Sequence, residues 1–567
     1  MAGNLGISQL ASDAVTTVKK KTLSADGQRW GSRMVRTTLA AVVMTVPLLV
    51  VIFGGGIGAP AIWVKTAVVA GLGQGSDDFS LVHTGTARDK LHGGLLVEGF
   101  DQGSCRSRYQ SAMYRRNPGR QPSKYLVSKL RRQEALQRRC GPGTAAYSRA
   151  LEQLKSGKNA ASPECKYLVC VSYRGLGNRL LAAAAAFLYA MLTDRVLLVD
   201  PSAAMAELFC EPFLNTTWLL PQGFPLSAYQ GFYLDTPERY GKMRETGVLA
   251  SDPPPAAAEL PAFAYVHLDH NQTDGDKLFF CDEDQRLLSG FQWLVLRTDQ
   301  YIVPGMFLVR AFQEELAVMF PEPDAVFHHL GRYLFHPSNR VWGLITRYYH
   351  ARLASARRRV GIQVRVFPWE PNSPELLARI TACTQKEGML PGLLDTEEPP
   401  PPATPATATA TARGIKSIAV VMTSLKSWYS EQLQGMYWEN ATASGEVVVV
   451  HQPSHEGRQR YGDRSHEHKA WAEIYLLSLM DALVTTGTST FGYTAQGLAG
   501  LTPWVLPREP ASGAAAPCAR AMSMEPCCHV APLYDCKRRV DSGKIVPHVQ
   551  HCDDYPAGLK LVNRKEW

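Results

Sequence analysis

The 567-residue chain lacks cysteine before Cys105, and it lacks any charged residue between Thr37 and Val64. That uncharged stretch is long enough for one transmembrane helix. Six basic residues precede it, whereas Lys65 is the only basic residue between it and Asp77. The positive-inside rule therefore predicts a cytoplasmic tail at 1–36, a signal-anchor at 37–64 and a stem at 65–90.

The placement of cysteines and sequons agrees with a luminal location for the rest of the chain. All twelve cysteines follow the apolar stretch, as do the three Asn-x-Ser/Thr sequons. Disulfides form in oxidising compartments, so we expect bridges here, including within a cysteine-rich tail at 518–567. The predicted glycosylation sites are Asn215, Asn271 and Asn440.

Long basic runs interleaved with aromatic residues are also missing. The net charge of +9 is modest for this length, and clusters such as Arg357–Arg359 are short. Solvated helix faces explain such clusters better than nucleic-acid binding does.

The chain contains few patterns with metal-ligand spacing. Asp274 and Asp276 form an Asp-x-Asp triplet, but it follows a sequon in a polar stretch. His466-Glu467-His468 lacks a third ligand, and the cysteines of the tail fit disulfides better than zinc. We therefore predict no metal.

What is present is a repeated α/β rhythm. A strand at 167–171, a glycine turn at 174–179, a helix at 180–192 and a strand at 195–200 form a parallel crossover unit. Similar units recur after residue 417. The fold class is therefore α/β, with two Rossmann-like domains facing a cleft, at 91–340 and 341–517. The Pro/Thr-rich tract at 397–411 is predicted to be a disordered insertion.

The stretch Val360–Phe367 alternates β-branched residues with Gln363 and Arg365. An arginine at the end of a central strand needs an anionic partner, and its planar fork suits a phosphate. An internal arginine–carboxylate pair explains the same position. Both interpretations stay open from the residues alone.

Three other strand ends carry candidate ligand groups. The first glycine turn is not a dinucleotide motif because Leu180 stands at the third glycine position, but its amides suit an anion. A second helix start follows the strand at 482–485. The glycines of the first turn are also explained by backbone geometry alone, and one hydroxyl of the second turn is explained by helix capping. His451 with Gln452, and Asp299, end further strands; Asp299 is either a base for a sugar hydroxyl or a structural carboxylate. The candidate residues of the two turns are Gly175, Gly177, Asn178 and Arg179, then Ser489, Thr490, Phe491, Gly492 and Tyr493.

Longer segments carry a family resemblance. The chain resembles the plant xyloglucan 2-alpha-L-fucosyltransferases of glycosyltransferase family 37 from Asp89 to Val562. The segments that carry the resemblance include 90–96, 125–130, 140–144, 331–337, 361–367 and 521–527.

The resemblance implies a single-pass type II Golgi membrane protein with a GT-B-like fold. Such enzymes transfer fucose from GDP-fucose to O2 of a terminal galactose on xyloglucan or another wall glycan, with inversion and without a metal. It also implies that Arg365, in the motif with Gln363, contacts GDP. His451 and the two glycine-bearing turns match donor-site motifs, and Asp299 matches a segment beside the acceptor.

The chain departs from the family at some positions. Residues 486–489 read Thr-Gly-Thr-Ser where Ser-Ala-Trp-Ser is expected, and Cys170 and Cys528 are extra cysteines. These two could pair, remain free, or link two chains as a homodimer. Three alternatives remain. The protein is a non-catalytic relative that binds a glycan or GDP, a metal-dependent enzyme that uses Asp274 and Asp276, or a fucosyltransferase that acts on arabinogalactan protein or pectin.

Overall fold

The computed structural model describes residue 89 and residues 91–202, 204–250, 252–394, 417–507, 516–532, 536 and 547–563. The predicted tail, signal-anchor and almost all of the stem lie outside these residues, as does the insertion at 397–411. Among the described residues, no helix combines the length and apolar character needed to cross a membrane.

The first half of the chain builds a four-stranded parallel sheet in the order β2-β1-β4-β3. The expected strands at 167–171 and 195–200 and the expected strand before Asp299 are present, whereas β3 was not predicted. Leu268 at the end of β3 pairs with Thr298 at the end of β4, so the residues that follow them lie side by side. The strands are β1 Lys166–Val171, β2 Arg195–Val199, β3 Phe263–Leu268 and β4 Trp293–Thr298.

Helices surround this sheet. The glycine turn differs from the expectation, because α4 begins at Leu176 rather than at Leu180 and includes most of that turn. The helices are α1 Arg106–Tyr114, α2 Lys124–Cys140, α3 Ala145–Lys155, α4 Leu176–Leu192, α5 Met205–Leu208, α6 Tyr240–Glu245, α7 Asp274–Lys277, α8 Asp282–Ser289, α9 Val303–Met306, α10 Arg310–Met319, α11 Val326–Leu334 and α12 Asn339–Arg352.

The second half builds a six-stranded sheet in the order β10-β9-β8-β5-β6-β7, parallel except for the last pair, β9 and β10. A separate hairpin, β11 with β12, lies in the tail. The strands are β5 Arg358–Gln363, β6 Ser417–Thr423, β7 Val447–His451, β8 Ala482–Thr486, β9 Trp504–Leu506, β10 Ala519–Arg520, β11 Val549–His551 and β12 Leu559–Leu561. The accompanying helices are α13 Pro374–Lys386, α14 Trp428–Glu439, α15 Arg464–Leu477 and α16 Thr490–Ala499.

Strand β5 ends earlier than the alternation of 360–367 predicted. The amide of Arg365 donates to the hydroxyl of Thr486 (2.8 Å) instead of continuing the ladder. The chain then turns, since the amide of Glu370 donates to the carbonyl of Phe367 (3.1 Å). Alternation of β-branched residues therefore extended the predicted strand too far.

The two halves share one core. All of α4 except Asn178 is buried, and the helix packs against α11 of the first half and α15 and α16 of the second. Its run Ala182–Ala186 lets these helices approach closely, because alanine adds only a methyl group. The described residues accordingly belong to one compact unit.

Disulfides are confirmed as an organising feature. Five bridges form, and Cys281–Cys536 and Cys383–Cys518 anchor the tail. The other bridges are Cys105–Cys210, Cys140–Cys165 and, within the tail, Cys527–Cys552. Cys170 and Cys528 remain free and buried, and burial raises the pKa of each thiol to about 12. A buried thiol is poorly placed to link two chains.

Candidate functional site

Two helix N-termini meet at the centre of the molecule, and both follow parallel strands. Helix α4 follows β1, and α16 follows β8. A Cβ at Gly177 would lie 2.6 Å from the carbonyl carbon of Thr490, so no larger residue fits there. Ser489 begins α16 by accepting from the amide of Gly492 (3.4 Å). Two sets of helix-start amides therefore lie together, where the helix dipoles favour an anion.

Asn178 joins this pair of helix starts to β4. Its Nδ2 donates to the backbone oxygen of Asp299 (3.1 Å), and its Oδ1 accepts from Thr490 Oγ1 (3.0 Å). Asn178 thus fixes the first turn of α4 relative to both the acid at the end of β4 and the loop that precedes α16. The neighbouring Gly175 is the N-cap of α4.

Arg179 lies differently from the ligand contact that the sequence suggested. Its side chain is buried and forms an ion pair with the buried Glu467 of α15. A buried pair of this kind holds α4 against α15. The structural role, rather than direct contact with a ligand, therefore explains Arg179 best.

Gln363 and Arg365 stand where β5 and β8 end. Gln363 Oε1 accepts a hydrogen bond from Thr486 Oγ1 (3.3 Å). The same oxygen would lie 3.0 Å from a Cβ atom added to Gly492, so the end of β5 contacts α16 directly. The Arg365 side chain is exposed, and its guanidinium carbon lies 4.9 Å from the ring centroid of Phe367. The strand stops two residues before Arg365, so this residue follows the strand rather than ending it as the sequence predicted. Its side chain is accessible to solvent.

The loop before α16 is held from the far end of the chain. Thr488 has φ +57°, a left-handed conformation, and its amide donates to Asp554 Oδ2 (2.7 Å). The same carboxylate accepts from the hydroxyl of Tyr493 (2.5 Å), which also lies 3.2 Å from His529 Nε2. Burial and the charge of Asp554 raise the pKa of Tyr493 well above its usual range. Tyr493 is thus a support for the loop, and no local sequence pattern pointed to Asp554.

His451 and Gln452 end β7 as expected. His451 is half-buried, and burial together with the charge of Arg352 lowers its pKa, which favours the neutral imidazole. The amide of Gln452 donates to the backbone oxygens of Ser424 (3.0 Å) and Ser454 (2.8 Å). Gln452 therefore shapes the end of the strand beside His451.

A cluster of acidic and basic groups lies at the ends of β3 and β4, close to Asn178. Asp299 is completely buried, and Arg174 Nε lies 2.9 Å from its Oδ2. His270 Nε2 lies 3.8 Å from the same oxygen. Asp269 stands beside Asp299, and burial together with the charge of Asp299 raises the pKa of Asp269. Asp269 and His270 were missed because β3 was missed.

Two sets of residues carry oxygen or nitrogen atoms that could ligate a cation: this cluster and the Asp-x-Asp triplet. Ligand atoms of Asp269, His270 and Asp299 lie within 4.8 Å of one another, but the guanidinium of Arg174 already occupies the space beside Asp299. Asp276 is committed to Arg239 (2.6 Å) and caps α7, while Asp274 is exposed. Neither set of residues suits a divalent cation.

The three sequons differ in how far the structure uses their asparagine. Asn215 and Asn440 are exposed. Asn271 is also exposed, but its Nδ2 donates to the hydroxyl of Tyr233 and its Oδ1 lies 2.9 Å from His267 Nε2. A glycan on Asn271 would have to replace the first of these contacts, next to the acidic cluster.

Parallel strands that end where two helix N-termini meet are typical of α/β folds that bind a nucleotide. A family model described as xyloglucan fucosyltransferase matches residues 66–537. The chain belongs to this family.

Individual relatives agree. The chain is 48% identical over 496 residues to a galactoside 2-alpha-L-fucosyltransferase of Pisum sativum, covering 87% of this chain and 85% of the relative. It is 50% identical over 482 residues to the protein of the same name from Arabidopsis thaliana, covering 84% and 83%. The structure of a mutant of Arabidopsis thaliana FUT1 in complex with GDP matches with a TM-score of 0.76 at 49% identity, covering 84% of this chain and all of that one.

Proposed function

We propose that the protein transfers L-fucose from GDP-fucose to O2 of a terminal galactose on xyloglucan or a related wall glycan. The observation that carries the proposal is the meeting of the α4 and α16 N-termini at Gly177 and Thr490, with the exposed Arg365 bonded through its amide to Thr486 at the end of β8. The family and the GDP complex of a relative with this fold support GDP as the leaving group.

In the reaction, the galactose hydroxyl attacks C1 of fucose from the face opposite to GDP in a GT-B-like cleft, which inverts the anomeric centre. The diphosphate gains negative charge as the C1–O bond breaks. Arg365 and the helix-start amides near Ser489 and Gly177 stabilise that charge, as preorganised donors do in other enzymes, at about 3 kcal/mol for each donor. No metal is required for this step.

The proposal includes a location. The signal-anchor expected at 37–64 would place the catalytic part in the Golgi lumen as a single-pass type II protein, in keeping with the five disulfides. Two measurements test this orientation. In sealed vesicles the catalytic part of a tagged protein should be protected from protease, and glycans on Asn215 and Asn440 should be removed by endoglycosidase.

An acceptor panel tests the activity. Full-length protein is incubated with labelled GDP-fucose and with galactosylated xyloglucan oligosaccharide, arabinogalactan or pectin fragments, each also after β-galactosidase treatment. We expect label on galactosylated xyloglucan or on another galactosylated acceptor of the panel, with 2-linked galactose on linkage analysis and an α-fucoside by NMR. Label on the galactosidase-treated acceptors, or no label at all, would contradict the proposal.

A further inference from the structure

The side chain of Asp299, the expected base, does not reach solvent. It is fully buried beneath two half-exposed side chains, Arg174 and His270, whose side chains are 46% and 44% exposed. An acceptor hydroxyl entering the cleft therefore meets His270 before it meets Asp299. A general base must come within hydrogen-bond distance of the proton it removes, and in this structure Arg174 and His270 lie between Asp299 and solvent.

Gln300 determines which nitrogen of His270 carries a lone pair. Its amide Nε2 donates to Asp299 Oδ1 (2.6 Å) and lies 3.2 Å from His270 Nε2. An amide nitrogen only donates hydrogen bonds, so His270 Nε2 is an acceptor and the ring proton is on Nδ1. The nitrogen that accepts from Gln300 is therefore the one that can take a proton from an acceptor hydroxyl.

We propose that His270 is the catalytic residue that removes the proton from the attacking galactose hydroxyl, and that Asp299 and Gln300 are its positioning residues. The proposal rests on the fucosyl transfer proposed above. As the O2–C1 bond forms, the O2–H bond breaks and its proton moves to His270 Nε2. The C1–O bond to GDP breaks, and its electron pair leaves with the diphosphate.

The surroundings suit an imidazole that becomes charged during the reaction. The carboxylate of Asp299, 3.8 Å from Nε2, stabilises the imidazolium that forms. The other charged or titratable groups facing His270 are Arg174 from the loop before α4, Asp269 from the end of β3 and His529 from the tail. Burial lowers the pKa of His529 to about 4, so that ring is neutral and does not oppose the charge.

The fold also sets where this base lies relative to the donor. Asn178 donates to the backbone of Asp299 and accepts from Thr490 in the turn that begins α16. The base and the proposed diphosphate site are therefore joined through a single side chain. That connection holds the groups proposed for proton removal and for leaving-group stabilisation in one part of the molecule.

The experiment compares full-length wild type with His270→Gln, His270→Ala, Asp299→Asn and the double variant, using galactosylated xyloglucan oligosaccharide. His350→Gln is the matched control, since His350 is exposed on α12. We expect kcat to fall about 10²–10⁴-fold in both His270 variants, the effect of losing a general base. GDP affinity by calorimetry should stay within twofold, and imidazole should restore part of the kcat of His270→Ala.

The double variant tests the division of roles. If Asp299 acts through His270, adding Asp299→Asn to His270→Gln lowers kcat no further. Any of three results would overturn the inference. They are a kcat of His270→Gln near that of wild type, additive losses of kcat in the double variant, and a loss of kcat in His270→Ala that imidazole does not restore. A wild type that transfers no fucose would instead overturn the proposed function, and this inference with it.

Discussion

Gly177 lies against Thr490 so closely that a single added methyl group would come within 2.6 Å of the Thr490 carbonyl carbon. The two residues lie at the starts of helices that follow strands of different sheets, and Asn178 joins the two helix starts further. Both helix starts at the centre of the site therefore depend on this one contact.

Gly177→Ala should weaken the site. The added Cβ separates α4 from α16, and overpacking of this kind costs about 1–3 kcal/mol. We expect a lower melting temperature and weaker GDP binding by calorimetry. Gly231→Ala is the control, because a Cβ there meets nothing within 4 Å. Equal behaviour of the two variants would contradict the role assigned to the contact.

Arg365→Ala should reduce kcat about 10²–10³-fold, since losing one preorganised donor to a developing negative charge has an effect of that size. The side chain is exposed, so the fold should keep its melting temperature. Arg357→Ala removes another exposed arginine and should leave kcat unchanged. Near-normal turnover of purified Arg365→Ala would remove this residue from the donor site.

Asp554→Ala should loosen the loop that precedes α16. It removes the acceptor for the amide of Thr488 and the hydroxyl of Tyr493, and hydrogen bonds to a charged group are worth about 1.5–3 kcal/mol. We expect GDP affinity to fall by about tenfold or more. Asp553→Ala, which removes a carboxylate that binds Lys560 instead, should leave GDP affinity unchanged.

Glu525 should make stability depend on pH. Burial raises its pKa from 4.5 to about 8, while its oxygens accept from Tyr301 and the amide of Phe327. The folded state thus holds a proton that the unfolded state releases, so this stabilisation is complete below pH 4.5 and is lost as pH rises to about 8. The loss reaches at most about 1.4 kcal/mol per pH unit.

Denaturant unfolding of wild type and Glu525→Gln tests this sign. The glutamine mimics the protonated acid, so the difference in unfolding free energy between the two proteins should move in favour of Glu525→Gln between pH 6 and pH 8. A difference that stays constant over that range would show that Glu525 is ionised in the folded protein.

Chelation should not affect transfer. With Asp276 committed to Arg239, and with Arg174 beside Asp299, the described residues offer no set of oxygens suited to a divalent cation. We expect rates within twofold with and without EDTA, and an unchanged rate for Asp274→Asn. Loss of activity that Mn²⁺ restores would favour the metal-dependent alternative.

Much of this architecture was predictable from local patterns. Strand-length apolar runs separated by glycine turns and helices indicate parallel sheets, because crossover units require that order. Those runs correctly located β1, β2, β4, β6, β7 and β8, and the cysteines of the tail form the expected disulfides except for Cys528, which is free. Membership of the family followed from the longer segments.

Only the tertiary structure decided which side chains meet. Arg179 pairs with Glu467 across 288 residues, Asp554 returns from the tail to Thr488, and the register of β3 with β4 brings Asp269 and His270 to Asp299. A short-range pattern determines periodicity and turn positions, because these depend on neighbouring residues. It carries no information on burial or on partners far along the chain, and those determine whether a charged side chain supports the fold or faces a substrate.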